Sequence, residues 1–184
     1  EKYRELTRPQ LLEKAMELGI AYEKYSGSCS QCTVAALWDI LGFEDAVVQM
    51  ATSSCGGHAG LAEGVCGGII GGTIVLDYYL GRPVEMLSAT GTIPGSIEKL
   101  EEAMTSARVL TNRFKDRYGS IFCPQIQTKV YGRPYNLRDP EQWQAFMDAG
   151  AHTDPTKCMS VIGNAATWTL EILLDAPWGK CTLG

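Results

Sequence analysis

The sequence has little excess positive charge and no long hydrophobic run. It contains 16 Lys and Arg residues against 21 Asp and Glu residues, for a net charge of −5. Nucleic-acid binding without sequence preference needs a basic surface, and so does attraction to an anionic membrane. The most apolar stretch, Val65–Leu80, is shorter than the about 20 residues of a transmembrane helix and contains Asp77 and several glycines. We therefore expect no nucleic-acid partner and no membrane insertion.

Histidine is also scarce. The two histidines, His58 and His152, leave little material for hydrolysis by a cysteine–histidine pair, although Cys55 with His58 or Cys158 with His152 would be the candidates. We expect both histidines to be exposed to solvent. The chain has 184 residues, of which 45% are hydrophobic, and this predicts one compact domain over residues 1–184.

Cysteine, in contrast, is abundant. Seven cysteines lie at positions 29, 32, 55, 66, 123, 158 and 181. Secreted domains that depend on disulfides are usually shorter and carry an even number of cysteines, and no signal-peptide pattern is visible. We therefore expect a reducing, cytoplasmic setting, in which clustered cysteines more often serve metal or redox chemistry.

Helical signals dominate the chain. An amphipathic pattern predicts a long helix from Ser96 to about Tyr118, because apolar residues recur there every three or four positions. No segment alternates long enough to predict a sheet. We expect an all-α fold, a compact multi-helix bundle with a glycine-rich buried central helix. Further helix starts are predicted at the capping boxes Thr7–Gln10 and Ser28–Gln31, and at Cys123–Pro124 and Asp154–Pro155.

Five of the seven cysteines fall at or near these helix starts. A helix N-terminus presents unpaired N–H groups and a partial positive charge. Both stabilise a thiolate and lower its pKa, and both equally stabilise an anionic metal–thiolate or iron–sulfur centre. The alternative is that each cysteine is simply a small hydrophobic core residue. The five are Cys29, Cys32, Cys66, Cys123 and Cys158.

The glycines after Cys66 predict a helix with a face that is bare of side chains. Gly67 and Gly71 are four residues apart, and so are Gly68 and Gly72. Each glycine in a helix costs about 1 kcal/mol relative to alanine, so an interaction must offset it. A bare face lets either a cofactor or another helix approach the backbone, and the sequence leaves both interpretations open.

Three cysteine patterns are typical of metal sites. Cys29-x-x-Cys32 occurs in thiol oxidoreductases, zinc sites and clusters, but Thr33 stands where attachment of haem c needs a histidine. Adding Cys55-x-x-His58 gives the spacing of a zinc ribbon, although here the first pair opens a helix rather than a β-hairpin. Four cysteines from distant helices suit an iron–sulfur cluster.

The order of these motifs resembles a known family. It consists of a Cys-Ser-Gln-x-x-Val-Ala-Ala-Leu helix start at Cys29, a glycine-rich turn, a Cys-Gly-x-x-x-Gly motif at Cys66, and two later cysteines. This order resembles the redox-active proteins named for their Cys…CGAxxG…Cys…Cys pattern (C_GCAxxG_C_C), over roughly Ala21 to Leu174. It is also distantly similar to the protein scaffold of split-Soret cytochromes. Gly68 stands where the family pattern has alanine.

The resemblance implies a mostly helical fold in which four cysteines meet at one site. They would be Cys29, Cys66, Cys123 and Cys158, and Gly67 and Gly71 match the glycines of the central motif. A redox context is implied, but no reaction. The haem-binding sequence of split-Soret cytochromes is absent, so haem c is not expected. Cys32, Cys55 and Cys181 are additional to the pattern.

Three functional hypotheses follow. The first is a homodimeric redox protein whose four pattern cysteines bind an iron–sulfur cluster or another thiophilic metal, with Cys32 and Cys55 beside it, for electron transfer or redox support of a partner protein. The second is a metal-free thiol–disulfide oxidoreductase, with Cys29 as nucleophile and Cys32 or Cys66 as resolving thiol. The third is a protein that handles zinc or copper through its thiolates.

Overall fold

A computed structural model describes residues 2–176 as a bundle of helices. Within that range there is no β-strand, and the one isolated β-bridge joins Val65 to Phe122. The prediction of an all-α fold is confirmed. Cys181 lies outside the described residues. The helices are α1 (Arg8–Ser26), α2 (Cys29–Leu41), α3 (Asp45–Met50), α4 (Gly67–Leu80), α5 (Ser96–Tyr118), α6 (Cys123–Tyr131), α7 (Pro140–Asp148) and α8 (Cys158–Asp175), with a 3₁₀ turn at Val84–Met86.

The helix starts explain most of these boundaries, with two corrections. The capping box of Thr7 and Gln10 is present at the start of α1. Ser28 does precede α2, but the prediction of a capping box there is wrong. The Ser28 hydroxyl donates to the Thr52 carbonyl at 3.1 Å, and the Gln31 amide donates to the Thr52 hydroxyl at 3.0 Å. These two side chains therefore tie α2 to the end of α3 instead of closing the first turn of their own helix.

The second correction concerns α8, which begins at Cys158 and not at Asp154. The Asp154 carboxylate accepts hydrogen bonds from the Thr156 backbone N–H at 2.8 Å and from the Thr156 hydroxyl at 2.7 Å. This closes a local turn that competes with helix formation. The first residue of α8 is therefore Cys158 and not Pro155, which the sequence predicted.

Both glycine faces of α4 are filled by other helices of the same chain. A Cβ atom at Gly67 would lie 2.9 Å from the Ser30 nitrogen of α2, and one at Gly71 would overlap with the Ser30 carbonyl oxygen. On the opposite side, a Cβ at Gly68 would lie 3.1 Å from Ala165 Cβ of α8. The glycines thus serve close helix packing, one of the two interpretations that the sequence left open.

Two groups of buried side chains hold the fold together. The main core joins α1, α2, α4, α5 and α8, and its largest fully buried side chain is Phe114. A smaller aromatic cluster contains Tyr131, Tyr135, Phe146 and Ala151, from α6, α7 and the segments beside them. Among residues 2–176, no helix combines the length and the apolar character needed to cross a membrane.

Candidate functional site

Five cysteines line a single cavity of about 240 Å³. Four of them stand at helix starts, as the sequence predicted: Cys29, Cys123 and Cys158 are the first residues of α2, α6 and α8, and Cys66 immediately precedes α4. The fifth, Cys55, lies in the loop between α3 and α4. All six cysteines of the described range are free thiols. The fold thus brings thiols from five separate segments to one place.

The isolated β-bridge sets the relation between Cys66 and Cys123. The Cys66 N–H donates to the Ile121 carbonyl, and the Cys123 N–H donates to the Gly64 carbonyl, each at 2.9 Å. Both hydrogen bonds flank the Val65–Phe122 pair. The entry to α4 and the entry to α6 are therefore fixed to one another by backbone hydrogen bonds, next to the two cysteines.

The loop that carries Cys55 has an unusual backbone. Three residues other than glycine, His58, Ala59 and Ala62, have positive φ angles of 71°, 50° and 56°. Such conformations cost about 1–3 kcal/mol each and concentrate at functional sites. A Cβ atom at Gly57, in the same loop, would lie 2.9 Å from Cys123 Cβ. The strained loop is therefore packed directly against a wall of the cavity.

Hydrogen-bond donors surround the sulfur atoms of the four pattern cysteines. The Gly56 N–H donates to Cys29 Sγ at 3.3 Å, and the Gln127 amide donates to Cys123 Sγ at 3.3 Å. Burial is the main influence on the other two thiols, but the Tyr131 hydroxyl, which accepts the Cys158 N–H at 3.1 Å, lowers the pKa of Cys158 in part. The backbone N–H groups of Gly68 and Ile69, in the first turn of α4, do the same for Cys66. Donors of this kind favour the thiolate and, in cysteine-ligated centres, tune the reduction potential.

Burial nevertheless outweighs these donors. It raises the pKa of the Cys158 thiol to about 12, and it raises the pKa of Cys66 and Cys123 above the usual value for cysteine. Burial, followed by the charge of Glu23, raises the pKa of Cys29. The expectation that helix N-termini would lower these pKa values is thus wrong for the metal-free cavity. Desolvation disfavours a thiolate by more than the local dipoles favour it.

Cys32 stands apart from the other thiols. It is buried in the main core and does not line the cavity. Its sulfur accepts the Ser28 N–H at 3.4 Å, and its thiol is a neighbour of the Glu23 carboxyl that lowers the pKa of that acid, against the larger effect of burial. Glu23 does line the cavity. Of the two additional cysteines placed near a cofactor by the sequence, the structure brings Cys55 to the cavity and separates Cys32 from it by this carboxyl.

The two histidines differ in their surroundings. His58 is exposed, as predicted. The prediction for His152 is wrong, because it is half-buried and lines the cavity. Burial lowers its pKa, and the Glu23 backbone raises that pKa by less. The absence of a side chain at Gly27 makes room for this ring, since a Cβ there would lie 2.7 Å from His152 Cε1.

Several residues of the cavity wall were missed in the sequence. Glu23 continues a series of buried residues four apart on α1, after Leu11, Ala15 and Gly19. This spacing could have shown from the sequence that Glu23 is a charged residue on the buried face of α1. Trp143 and Phe146, in contrast, come from the short helix α7, and no local pattern indicates that they close a cavity between distant helices.

The central glycines do not line the cavity. Gly67 and Gly71 face α2, although a Cβ at Gly67 would also lie 3.0 Å from Cys29 Sγ. Gly67 therefore leaves room for the Cys29 sulfur, and Gly71 serves helix packing alone. Of the two interpretations that the sequence left open for these glycines, the structure shows the approach of another helix, and contact with a cofactor stays a prediction. Each glycine lets α2 approach α4, and that approach positions the first residue of α2 beside the site.

The cavity is not arranged for a single metal ion. Among residues 2–176, no three His, Cys, Asp or Glu side chains come together in a way that could hold one ion. The volume, about 240 Å³, is also larger than one ion requires. The residues are those of a thiol-rich chamber that can hold a larger group.

A family comparison agrees with the pattern of cysteines. Residues 27–172 match the family described as "Putative redox-active protein (C_GCAxxG_C_C)". The chain belongs to this family. The match includes the five cysteines that line the cavity. No curated protein and no solved structure matches the chain, and the similarity to the split-Soret scaffold stays a prediction.

Proposed function

We propose that the cavity binds an iron–sulfur cluster or another thiophilic metal centre, and that the protein uses it for electron transfer or for redox support of a partner protein. The observation that carries this proposal is the convergence of five thiols, from five separate segments, on one cavity. Cys29, Cys66, Cys123 and Cys158 would be the metal ligands. Cys55 would be an additional or alternative ligand.

The size and spacing of the donor set favour a cluster over one ion. A tetrahedral zinc ion holds sulfur atoms at about 2.3 Å, so its ligands must crowd together. The described thiols are not grouped that closely, and they surround a chamber of about 240 Å³. Cysteines from distant parts of a chain commonly ligate iron–sulfur clusters. A cluster bound here would accept and return single electrons.

The electrostatics of the cavity also favour a bound metal. Neutral thiols become good ligands or nucleophiles only when they lose their protons. In the metal-free cavity, burial raises the pKa of Cys29, Cys66, Cys123 and Cys158. A metal supplies the positive charge that makes deprotonation favourable. A metal-free oxidoreductase would instead need Cys29 as a low-pKa nucleophile, and burial acts against that role.

The metal-free hypothesis requires two thiols that can form a reversible disulfide. The β-bridge keeps Cys66 and Cys123 on paired segments, but Cys66 lies opposite Ile121 and Cys123 opposite Gly64, so a disulfide between them needs a shift of the backbone. Zinc or copper handling shares the thiol ligands of the leading proposal and differs in the metal. A homodimer and a cytoplasmic location stay predictions.

The first test compares Cys66→Ser with Cys32→Ser after purification without oxygen. Cys66 lines the cavity and Cys32 does not, although both are buried in the same core. We expect Cys66→Ser to lose most of the metal while its far-ultraviolet circular dichroism stays that of a helical protein. Cys32→Ser should retain the metal. The measurements are metal analysis and the visible spectrum.

Two outcomes would contradict the proposal. If Cys66→Ser keeps the full metal content of the unmodified protein, Cys66 is not a ligand. If the unmodified protein contains no metal and one pair of thiols cycles through a disulfide, the thiol–disulfide hypothesis replaces it. Stoichiometric zinc or copper without iron would identify a metal-handling protein.

A further inference from the structure

Glu23 is a buried acid whose surroundings do not compensate for its burial. It lies in the last turn of α1, is 4% exposed, and lines the cavity together with the five cysteines. Its Oε2 atom has no hydrogen-bond partner in the described part of the chain. No lysine or arginine among residues 2–176 forms an ion pair with it. Buried acids are rarely left in this state, so the group calls for an explanation.

The local structure makes a charge on Glu23 more costly still. The C-terminal end of a helix carries a partial negative charge, which repels a carboxylate. Burial is the largest influence on the Glu23 carboxyl and raises its pKa to about 7, while the neighbouring Cys32 thiol lowers the pKa by less. An alanine, leucine or methionine would continue the buried stripe of α1 at no such cost. The acid therefore lowers the stability of the metal-free protein.

Glu23 lies on the side of the cysteine site that contains Cys29 and Cys158. Its charge is among the causes that raise the pKa of Cys29, Cys32 and Cys158. The same field would attract the positive charge of a cluster near Cys29 and Cys158. The half-buried His152 ring packs against the end of α1 at Gly27.

We infer that Glu23 supplies a carboxylate oxygen ligand, beside the cysteine sulfur atoms, to the metal centre of the cavity. The inference rests on the proposed function. It assigns to the site a mixed sulfur and oxygen donor set, in which the acid occupies the edge near Cys29 and Cys158. An iron atom of the bound centre would provide the positive charge that no lysine or arginine of residues 2–176 supplies to the Glu23 carboxyl. Iron accepts both thiolate and carboxylate ligands, whereas copper(I) favours sulfur.

The experiment uses two variants and a matched control. Glu23→Gln keeps the shape of the side chain without the charge, and Glu23→Met replaces it by an apolar side chain of similar length. Glu13→Gln makes the same change at an exposed position of the same helix. Each protein is purified without oxygen, reconstituted with ferrous iron and sulfide, and analysed for metal content, electron paramagnetic resonance spectrum and rate of iron loss to a chelator. The melting temperature of the chelator-stripped protein is measured at pH 8.

A ligand role predicts opposite effects in the two states of the protein. The Glu23 variants should lose iron to the chelator at least tenfold faster, with a changed resonance spectrum. In the metal-free state their melting temperature should rise by a few degrees, because an uncompensated buried charge has been removed. Glu13→Gln should match the unmodified protein in every measurement.

Other results would overturn the inference. If the unmodified protein binds iron, and Glu23→Gln and Glu23→Met retain the same iron content, spectrum and rate of loss, Glu23 is not a ligand although the site is a metal site. If both variants melt at a lower temperature without metal, or fail to fold, the carboxyl serves the fold. If the unmodified protein takes up no iron, the proposed function fails, and this inference fails with it.

Discussion

The main core and the aromatic cluster differ in how they build the cysteine site. In the main core, long helices approach one another closely where glycines replace side chains, as between Gly71 and α2. In the aromatic cluster, rings fill the space, with the centroid of Phe146 lying 5.3 Å from Tyr131 and 5.5 Å from Tyr135. Cys66 belongs to the main core, and Cys158 packs against the aromatic cluster. The cavity therefore lies between the long helices of the main core and the short elements of the aromatic cluster.

The difference indicates a division of tasks. Packing of the main core depends on contacts between residues far apart in the sequence, such as those of α1 with α8 and of α2 with α4. The aromatic cluster is assembled largely from residues 131–158, which are close in sequence. We therefore expect changes in the core to affect the whole fold, and changes in the cluster to affect chiefly access to the cavity.

The largest effect is expected from Gly71→Leu. A side chain at this position would collide with the Ser30 carbonyl and with Thr33 of α2, so the two helices must separate. We expect a loss of more than about 4 kcal/mol in the free energy of unfolding, which is the range of severe core changes. Urea denaturation followed by circular dichroism measures it. Gly91→Leu is the control, since Gly91 has open space around it, and a similar loss in both variants would refute the packing role.

Two phenylalanines compare the regions directly. Phe114 is fully buried in the main core, and Phe146 is 5% exposed in the aromatic cluster. Phe114→Ala should lower the free energy of unfolding by about 3–5 kcal/mol. Phe146→Ala should lower it by less and should speed the reaction of the metal-free thiols with Ellman's reagent, because Phe146 lines the cavity.

The comparison requires that Phe114→Ala and Phe146→Ala differ in the free energy of unfolding and in thiol reactivity. Equal losses of stability together with equal thiol reactivity in the two variants would show that core and cluster form one cooperative unit. The difference in thiol reactivity between the two variants should be largest in native buffer without denaturant, where only local opening exposes the thiols.

Glu23 gives the metal-free protein a distinct pH dependence. Its carboxyl pKa rises from 4.5 to about 7 on folding, so the unfolded chain loses this proton at lower pH than the folded chain does. Stability should therefore fall as the pH increases from 4.5 to 7, and the loss should level off above that, at on the order of 3 kcal/mol. Urea denaturation of Glu23→Gln across this range should lack that slope. An unchanged slope in Glu23→Gln would assign it to other groups.

The smallest effect is expected from Tyr131→Phe. The Tyr131 hydroxyl accepts the Cys158 N–H at 3.1 Å, and it lowers the pKa of the Cys158 thiol against the larger effect of burial. Its removal should cost about 1 kcal/mol in the free energy of unfolding and should raise the pKa of Cys158 further. The rate of alkylation by iodoacetamide, measured against pH, follows that change. Tyr25→Phe, at a tyrosine that is 79% exposed, should change neither quantity, and a normal Cys158 titration in Tyr131→Phe would exclude the hydrogen bond as a determinant.

The parts of the fold that were predictable from sequence depend on local signals. Cap residues, prolines and glycines near the chain's turns marked the starts of α1, α2, α5 and α6, because such residues satisfy or terminate backbone hydrogen bonds within a few positions. The placement of Cys29 and Cys123 at helix starts followed from these signals. Asp154 misled the prediction since its side chain satisfies the same backbone groups without a helix.

The features that were missed depend on distant partners. His152 lies in a loop of polar residues, and its burial results from packing against the end of α1, which is far away in the sequence. The pKa of Cys29 was predicted with the wrong sign, because the helix dipole is visible in a sequence and the degree of burial is not. Glu23 was predictable only in part. Its spacing from Leu11 and Ala15 shows in the sequence that it lies on the buried face of α1, but its neighbours across the cavity are distant in the sequence.

Analysis of iron and acid-labile sulfide in the unmodified protein, purified without oxygen, tests the central claim most directly. Its visible spectrum before and after reduction with dithionite completes the measurement. We predict iron and sulfide in comparable amounts, with visible absorption that dithionite bleaches. Protein with no bound metal after purification and reconstitution, and with the thiols of Cys29, Cys55, Cys66, Cys123 and Cys158 all free or paired as disulfides, would contradict it.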